Sequence, residues 1–245
     1  MPKLDSQSLN TVSGFSFSGE RIENLQGSTQ YSLISIAVDV SSSTYGFNKD
    51  CVDALLNIVE GCRKAPEKDK LLLRIVKFGS YVEEVIGFTL IDKIQDSDIS
   101  GKFNCGGSTC LYDACGDSLD SILSYADQLA QQYYRANGLV VVLTDGEENT
   151  SKIVTDPSKL RDIISSARKS EKLDSIKSVL VGLTSDDSID GYLKKFKDIV
   201  EFDQYEKMSD VSPKGWAKAQ GFISQYISTT SQSLGSGKPS ATLTF

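Results

Sequence analysis

The chain alternates between short continuous apolar runs and longer segments in which apolar residues recur every third or fourth position. The continuous runs predict buried strands at residues 31–40, 71–78, 138–146 and 175–183, a hairpin partner at 81–87 and a weaker strand at 199–202. The periodic segments predict helices at 48–63, 111–129, 189–196 and 216–227, and a further helix that begins at Pro157 after the N-cap residue Asp156. Because strands and helices alternate, we predict an α/β fold with a doubly wound, mainly parallel central sheet, one antiparallel edge strand and helices on both faces.

Both ends of the chain differ from its middle in composition. Residues 1–29 are rich in Ser, Gly and Asn and contain one alternating patch, at 15–17, that fits a short edge strand. Residues 231–245 combine Ser, Gly, Lys and Pro before an apolar ATLTF ending. We therefore predict an N-terminal extension at 1–29, one domain at 30–230 and a flexible C-terminal tail at 231–245.

Charge and cysteine content limit the partners and the compartment that we expect. The chain has 26 Lys and Arg against 33 Asp and Glu, and this net charge of −7 argues against a nucleic-acid partner. The N-terminus lacks the pattern of a signal peptide, and no apolar run is long enough to span a membrane. The odd count of five cysteines, without C-x-x-C pairs, indicates buried free thiols. We expect a cytoplasmic protein.

The sequence contains no histidine. This excludes a Ser–His–Asp triad, a Cys–His dyad, a histidine general base and an imidazole metal ligand. Any metal ion must therefore be held by oxygen or thiolate ligands.

Hydroxyl and carboxylate residues follow the predicted strands at their carboxyl ends. Asp39 lies at the end of the first buried strand with Ser41 and Ser43 just after it, Asp145 lies at the end of the run at 138–146, and Thr109 lies in a Gly-Gly-Ser-Thr loop before a helix. Ligands of open α/β sheets bind outside the carboxyl ends of the strands, so these loops can converge on one point. Their oxygen donors suit Mg²⁺ or Mn²⁺, and Ca²⁺ less selectively.

These loops resemble the metal-ion-dependent adhesion site (MIDAS) of the von Willebrand factor A (vWA) domain family. The segment AVDVSSS is similar to the family's D-x-S-x-S element, with Asp39, Ser41 and Ser43 in its three positions. GGSTCLYDA places Thr109 at the family's threonine, and VVVLTDGEEN places Asp145 at its aspartate. The hairpin VKFGSYVEEV is also similar, and the resemblance covers roughly residues 30–230.

The resemblance implies a Rossmann-like fold and a divalent-metal-dependent protein–protein interaction module rather than an enzyme. Ser41, Ser43 and Thr109 would contact the ion, whereas Asp39 and Asp145 would act largely through water or hydrogen bonds. Largely neutral ligands leave the cation short of negative charge, so it would bind an Asp or Glu of a partner protein. A cytoplasmic adaptor or scaffold is the expected role, and an AAA+ ATPase or an assembly complex is a partner consistent with the family.

Other interpretations of the same residues remain open at this point. Haloacid-dehalogenase-like phosphohydrolases, which depend on Mg²⁺, also place an aspartate after the first strand, but they need a second acid where this chain has Ser41. Each of the three loops taken alone also fits an ordinary polar turn or a helix cap. We expect Asp113, Glu147 and Glu148 to be solvated charges at the rim of the site and not ligands.

Overall fold

A computed structural model describes residues 6–25 and 28–233. The strands are Ser6–Asn10 (β1), Ser16–Glu20 (β2), Gln30–Asp39 (β3), Leu71–Phe78 (β4), Val82–Leu90 (β5), Arg135–Thr144 (β6), Ser175–Gly182 (β7) and Gln204–Lys207 (β8). The α-helices are Asn48–Arg63 (α1), Asp96–Ile99 (α2), Leu111–Gln131 (α3), Pro157–Lys169 (α4), Asp187–Val200 (α5) and Pro213–Ser233 (α6). Most of the predicted tail at 231–245 lies outside the described residues.

All eight strands form one sheet in the order β1-β2-β5-β4-β3-β6-β7-β8. The strands β4, β3, β6, β7 and β8 are parallel to their neighbours in this order, and β5 is antiparallel to β4. This confirms the predicted doubly wound, mainly parallel α/β fold with an antiparallel strand. The hairpin of β1 and β2 extends the sheet beyond β5.

Two hydrophobic cores cover the two faces of the sheet. Alternate residues of β3 point to opposite sides, so that Leu33 packs in the core of α3, α4 and α5, whereas Ile34 packs in the core of α1 and α6. The central strands β3 and β6 are buried on both faces, which explains why their sequences are continuous apolar runs. Among the described residues, none of the helices combines the length and the apolar character needed to cross a lipid bilayer.

The N-terminal hairpin is fixed to the rest of the sheet by buried aromatic rings. Phe17 packs edge-on against Phe88 of β5, and Phe88 stacks on Tyr125 of α3 at 5.0 Å between ring centroids. The Tyr125 hydroxyl donates to the backbone oxygen of Glu20 at 2.7 Å. A side chain at Gly19 would place its Cβ 2.6 Å from Tyr125 Cε2, so this strand position requires glycine.

A buried ion cluster lies between the sheet and α3. Arg74 of β4 is only 1% exposed, and its guanidinium donates to both carboxylate oxygens of Asp117 at 2.7 and 3.2 Å. Its Nε donates to Glu84 of β5 at 2.9 Å. The Glu84 carboxylate also accepts hydrogen bonds from the backbone and side chain of Ser18 in β2. The cluster therefore links four elements through one buried arginine.

The prediction of a strand at residues 199–202 is wrong. Residues 199–200 form the end of α5, and Glu201 has a left-handed backbone with φ of 61° that turns the chain. Val200 and Phe202 are apolar because they pack in the core around that helix end. The strand of this region, β8, begins only at Gln204.

The prediction of buried free thiols is confirmed for four of the five cysteines. Cys51, Cys62, Cys110 and Cys115 are buried, whereas Cys105 is partly exposed, and none of the five forms a disulfide.

Candidate metal site

Three loops meet at the carboxyl ends of β3 and β6. Two hydrogen bonds join the loop after β3 to the loop before α3. Gly106 N donates to the backbone oxygen of Val40 at 2.7 Å, and Ser42 N donates to the backbone oxygen of Gly107 at 3.2 Å. The loop before α3 is bonded to the loop after β6 by a reciprocal pair. Thr109 N donates to Asn149 Oδ1 at 2.8 Å, and Asn149 N donates to the Thr109 oxygen at 3.0 Å. Hydrogen bonds of the backbone and of the Asn149 side chain thus hold the three loops together, as predicted.

A continuous chain of hydrogen bonds joins four of the five predicted site residues. The buried Asp39 accepts from Ser41 N at 2.8 Å through Oδ1 and from Thr144 Oγ1 at 2.6 Å through Oδ2. The hydroxyl oxygens of Ser41 and Ser43 lie 3.1 Å apart, and Ser43 Oγ donates to Asp145 Oδ1 at 2.9 Å. Two carboxylates and two hydroxyls, three of them from residues 39–43 and one from the distant Asp145, therefore occupy one small space.

Thr109, the fifth predicted residue, borders the same space. It is 4% exposed, and its hydroxyl lies 3.6 Å from the point where a Cβ at Gly146 would stand. Gly146 directly follows Asp145, so the Thr109 hydroxyl faces the loop that carries the second carboxylate. The structure thus brings together all five residues that the sequence singled out.

Burial acts on both carboxyl groups, and the charge of Asp39 acts in addition on Asp145. Burial raises the pKa of Asp39, while hydrogen bonds from Thr144 and Ser41 oppose the rise. Burial, with the negative charge of Asp39, raises the pKa of Asp145 from 3.8 to about 6. In the part of the chain that the structure describes, neither carboxylate has an ion pair with Lys or Arg. The site therefore concentrates negative charge without a cation from the protein.

Replacement of Asp145 by asparagine is expected to stabilise the protein in EDTA. Because the folded-state pKa of about 6 lies above the ordinary 3.8, ionised Asp145 destabilises the fold. This penalty is absent below pH 3.8 and complete above about pH 6, and the shift corresponds to about 1–3 kcal/mol. Thermal unfolding at several pH values should show a gain for Asp145→Asn that grows between pH 4.5 and 7. A constant or vanishing gain would contradict a raised pKa of Asp145 in the folded protein.

The donor set fits a hard divalent cation. Three hydroxyls and two carboxylates offer only oxygen, the ligand type preferred by Mg²⁺, Mn²⁺ and Ca²⁺. No cluster of three or more His, Cys, Asp or Glu side chains suited to a metal exists in residues 6–25 and 28–233.

Two acidic residues near the site differ from the prediction of solvated rim charges. Asp113 is 7% exposed, and its carboxylate accepts hydrogen bonds from three consecutive backbone N–H groups, at residues 152–154. Glu148 accepts from Tyr112 N at 2.8 Å and from Thr150 N at 2.7 Å. Both carboxylates thus fix the loop after β6 against the start of α3, whereas Glu147 is exposed. The sequence shows that all three residues are acidic, but it does not show which of them hold the loop and which is solvated.

Comparison with known proteins supports the fold. No protein-family model matches the sequence, and no curated protein matches it. Solved structures do match. They include a D319A mutant of the PilB minor pilin from Streptococcus sanguinis, with a TM-score of 0.62 and 11% identity. This match covers 92% of this chain and 67% of the pilin chain. The pilus adhesin SpaC from Lactobacillus rhamnosus GG, in its open conformation, has a TM-score of 0.59 and 10% identity over 87% of this chain and 31% of SpaC.

A third solved structure carries a metal in a site of the predicted type. Proximal thread matrix protein 1 from the mussel byssus, described with a zinc-occupied MIDAS motif, has a TM-score of 0.53 and 18% identity. The match covers 81% of this chain and 46% of that protein, so the chain spans less than half of its length. These likenesses support the vWA-like fold expected from the sequence, and the proteins concerned are a pilin, an adhesin and a matrix protein.

Proposed function

We propose that the protein is a vWA-like, MIDAS-type interaction module that binds an acidic side chain of a partner protein through a divalent cation. The observation that carries this proposal is the hydrogen-bonded chain from Thr144 through Asp39, Ser41 and Ser43 to Asp145 at the carboxyl ends of β3 and β6. It unites oxygen donors from distant segments in the one place where such a sheet binds ligands.

The five residues divide into two roles in this proposal. The hydroxyls of Ser41, Ser43 and Thr109 would hold the cation, because they are neutral donors that leave its charge incompletely compensated. Asp39 orients the serine loop through Ser41 N, and Asp145 orients the Ser43 hydroxyl. When bound, the cation supplies an open coordination position for a carboxylate.

Mg²⁺ is the cation that we propose for the cell, with Mn²⁺ or Ca²⁺ as substitutes in vitro, because the donors are hard oxygens.

A cytoplasmic adaptor or scaffold remains the proposed role, and five free cysteines are consistent with a reducing compartment. An AAA+ ATPase or an assembly complex remains the proposed class of partner, with no role for nucleic acid or membrane.

A non-catalytic role is part of the proposal. A haloacid-dehalogenase-like hydrolase needs a second acid two residues after its nucleophile, and Ser41 occupies that position here. The likeness to a pilin, an adhesin and a matrix protein also favours binding over catalysis. The protein would instead be a hydrolase of this type if it cleaved a generic phosphate ester in the presence of Mg²⁺ and the Asp39→Asn variant did not.

Capture of partners from a native lysate tests metal dependence. The immobilised protein should retain a defined set of proteins in Mg²⁺ and release it in EDTA, because the carboxylate contact requires the cation. Ser43→Ala should lose the same set, since it removes one hydroxyl donor and the hydrogen bond to Asp145. The exposed Ser42, whose hydroxyl bonds to Gly107 rather than to the site, provides the matched control Ser42→Ala. Identical capture by all three proteins, with and without EDTA, would count against the proposal.

A further inference from the structure

A cleft of about 850 Å³ runs along the second half of α3, away from the candidate metal site. The β1–β2 hairpin lies on one side of it, and the end of α4 with the residues that follow lies on the other. The helix α3 begins two residues after Thr109 and ends just before β6, so its two ends are about 30 Å apart. The volume lies within the range of small-ligand sites, about 300–1,000 Å³. This cleft is therefore a second candidate binding site.

Carboxamide side chains dominate the lining of this cleft, which we call the amide cleft. Five of its fifteen lining residues carry one, namely Gln7, Asn10, Gln128, Gln131 and Gln132, and three others are serines. A carboxamide or a hydroxyl both donates and accepts hydrogen bonds without carrying a charge. The amide cleft thus presents neutral groups to a ligand that itself donates and accepts.

Gln7 and Gln128 join the two sides of the amide cleft. The Nε2 of Gln7 in β1 donates to the Oε1 of Gln128 in α3 at 2.9 Å. Both side chains are partly buried, and within the described residues no other side-chain hydrogen bond engages either of them. The pair therefore leaves one carbonyl oxygen free to accept and one amino group free to donate. Two adjacent hydroxyl groups of one ligand can use these two atoms together.

The charges that border the amide cleft are compensated inside the protein. Asp127 forms an ion pair with Lys172 at 2.6 Å and also accepts from Gln131 Nε2 at 3.1 Å. Glu23 lies 3.9 Å from Arg21. These three, Glu23, Asp127 and Lys172, are the charged side chains of the lining, and none of them is left unpaired. This balance favours an uncharged ligand.

An aromatic ring lies at one end of the amide cleft. Tyr134 is partly buried, its hydroxyl donates to the Leu25 oxygen at 3.3 Å, and its ring packs edge-on against Tyr31. The residue before it, Tyr133, has a left-handed backbone with φ of 62°, which is rare for a bulky side chain. This turn allows both Gln132 and Tyr134 to line the same cleft. A fixed apolar ring therefore lies beside the neutral polar groups.

We propose that the amide cleft binds a neutral carbohydrate chain. A sugar ring carries adjacent hydroxyl groups that donate and accept without charge, and its C–H groups form an apolar face that suits an aromatic ring. Gln7 and Gln128 would bind one pair of adjacent hydroxyls, and Tyr134 would contact the apolar face. Strand pairing and the helix fix these groups before the ligand arrives, which reduces the entropy cost of binding. No cation takes part, so this inference is independent of the proposed function.

An extended peptide suits the amide cleft less well. Recognition of a peptide combines main-chain hydrogen bonds with pockets for alternate side chains. The aliphatic residues of the lining are Val12, Ile22 and Leu123, and Val12 is fully exposed. The lining therefore offers few apolar pockets for peptide side chains.

Five probes test this ligand class. Three are neutral trisaccharides, namely maltotriose, cellotriose and triacetylchitotriose, and the others are trigalacturonic acid and the capped peptide Gly-Ser-Gln-Ser-Gly. Each is titrated into the ¹⁵N-labelled full chain, with amide chemical shifts as the readout. We expect at least one neutral trisaccharide to shift the amides of residues 7–10 and 124–134, equally in Mg²⁺ and in EDTA. At the same concentrations we expect no shifts there from the acid or the peptide.

Three leucine variants locate the binding. Gln128→Leu removes the free amino group and the bond to Gln7, and Gln132→Leu removes an exposed carboxamide that has no hydrogen-bond partner among the described residues. Each should weaken trisaccharide binding at least about threefold. Because Gln132 is exposed and unbonded, its replacement should leave the folding unchanged. Gln225→Leu is the matched control, since Gln225 is exposed on α6, which covers the opposite face of the sheet.

The outcomes separate this inference from the proposed function. Absence of shifts with all three neutral trisaccharides overturns the inference and leaves the proposed function standing. Tighter binding of trigalacturonic acid or of the peptide also overturns it, as does an equal loss of binding in Gln225→Leu. Sugar binding that requires Mg²⁺, with shifts at the loops after β3 and β6, would place the sugar at the metal site and contradict the amide cleft.

Discussion

Replacement of Asp39 by alanine is expected to lower the affinity of the protein for Mn²⁺ by on the order of 100-fold. Asp39 supplies one of the two carboxylates of the site, and it is only 3% exposed. Its Oδ1 orients the serine loop through Ser41 N, and its Oδ2 accepts from the buried Thr144 hydroxyl. Alanine removes the charge and both hydrogen bonds. The free Mn²⁺ signal in electron paramagnetic resonance measures the affinity.

One further variant separates charge from shape at Asp39, and a second variant is its control. Asp39→Asn keeps an oxygen that can accept from Ser41 N but removes the negative charge, so it should also weaken Mn²⁺ binding strongly. Asp198→Ala, at a position 76% exposed near the end of α5, should leave the affinity unchanged. An Asp39→Ala protein that remains folded and binds Mn²⁺ as tightly as the wild type would exclude Asp39 from the site.

Replacement of Arg74 by methionine is expected to lower the free energy of unfolding by about 3–5 kcal/mol. Burial raises the pKa of Asp117, and the charge and hydrogen bonds of Arg74 oppose that rise. Without the guanidinium, Asp117 at 3% exposure is left as a buried carboxyl with no cation. Glu84 loses the same partner and is then held mainly by Ser18. Chemical denaturation monitored by the single tryptophan, Trp216, measures the change.

Two controls isolate the buried pair. Lys68→Met breaks an ion pair of similar length, 2.8 Å to Asp92, but both side chains are more than 40% exposed, so the cost should stay below about 1 kcal/mol. The double variant Arg74→Met/Asp117→Leu removes both charges and should be more stable than the sum of the two single losses by at least about 1 kcal/mol. Strictly additive losses would contradict a coupled buried pair.

The central sheet and the convergence of the candidate site residues could be predicted from the sequence because both depend on local signals. The strands β3 and β6 are buried on both faces, and this burial produces the continuous apolar runs that identify them. The positions of Asp39 and Asp145 at or just beyond the ends of these strands then place both carboxylates at one edge of the sheet. Strand order was not needed to bring them together, because all carboxyl ends of parallel strands lie on the same edge.

The remaining features depend on tertiary contacts that no local pattern reveals. The strand Ser6–Asn10 is polar, and its place in the sheet comes from pairing with β2. Asp113 and Glu148 look like surface charges in the sequence, but each accepts hydrogen bonds from the backbone N–H of residues far away in the chain. Arg74 lies in an apolar strand, and the positions of Asp117 on α3 and Glu84 on β5 explain its burial.

The central claim is that one divalent cation binds among Asp39, Ser41, Ser43, Thr109 and Asp145. Anomalous diffraction from crystals grown in Mn²⁺, with data collected on both sides of the manganese absorption edge, tests it most directly. We predict one strong anomalous peak among the oxygen atoms of these five residues, and its disappearance in crystals of the Asp39→Ala variant. A protein that binds Mn²⁺ with its peak elsewhere, or that shows no peak at the ends of β3 and β6, would contradict the claim.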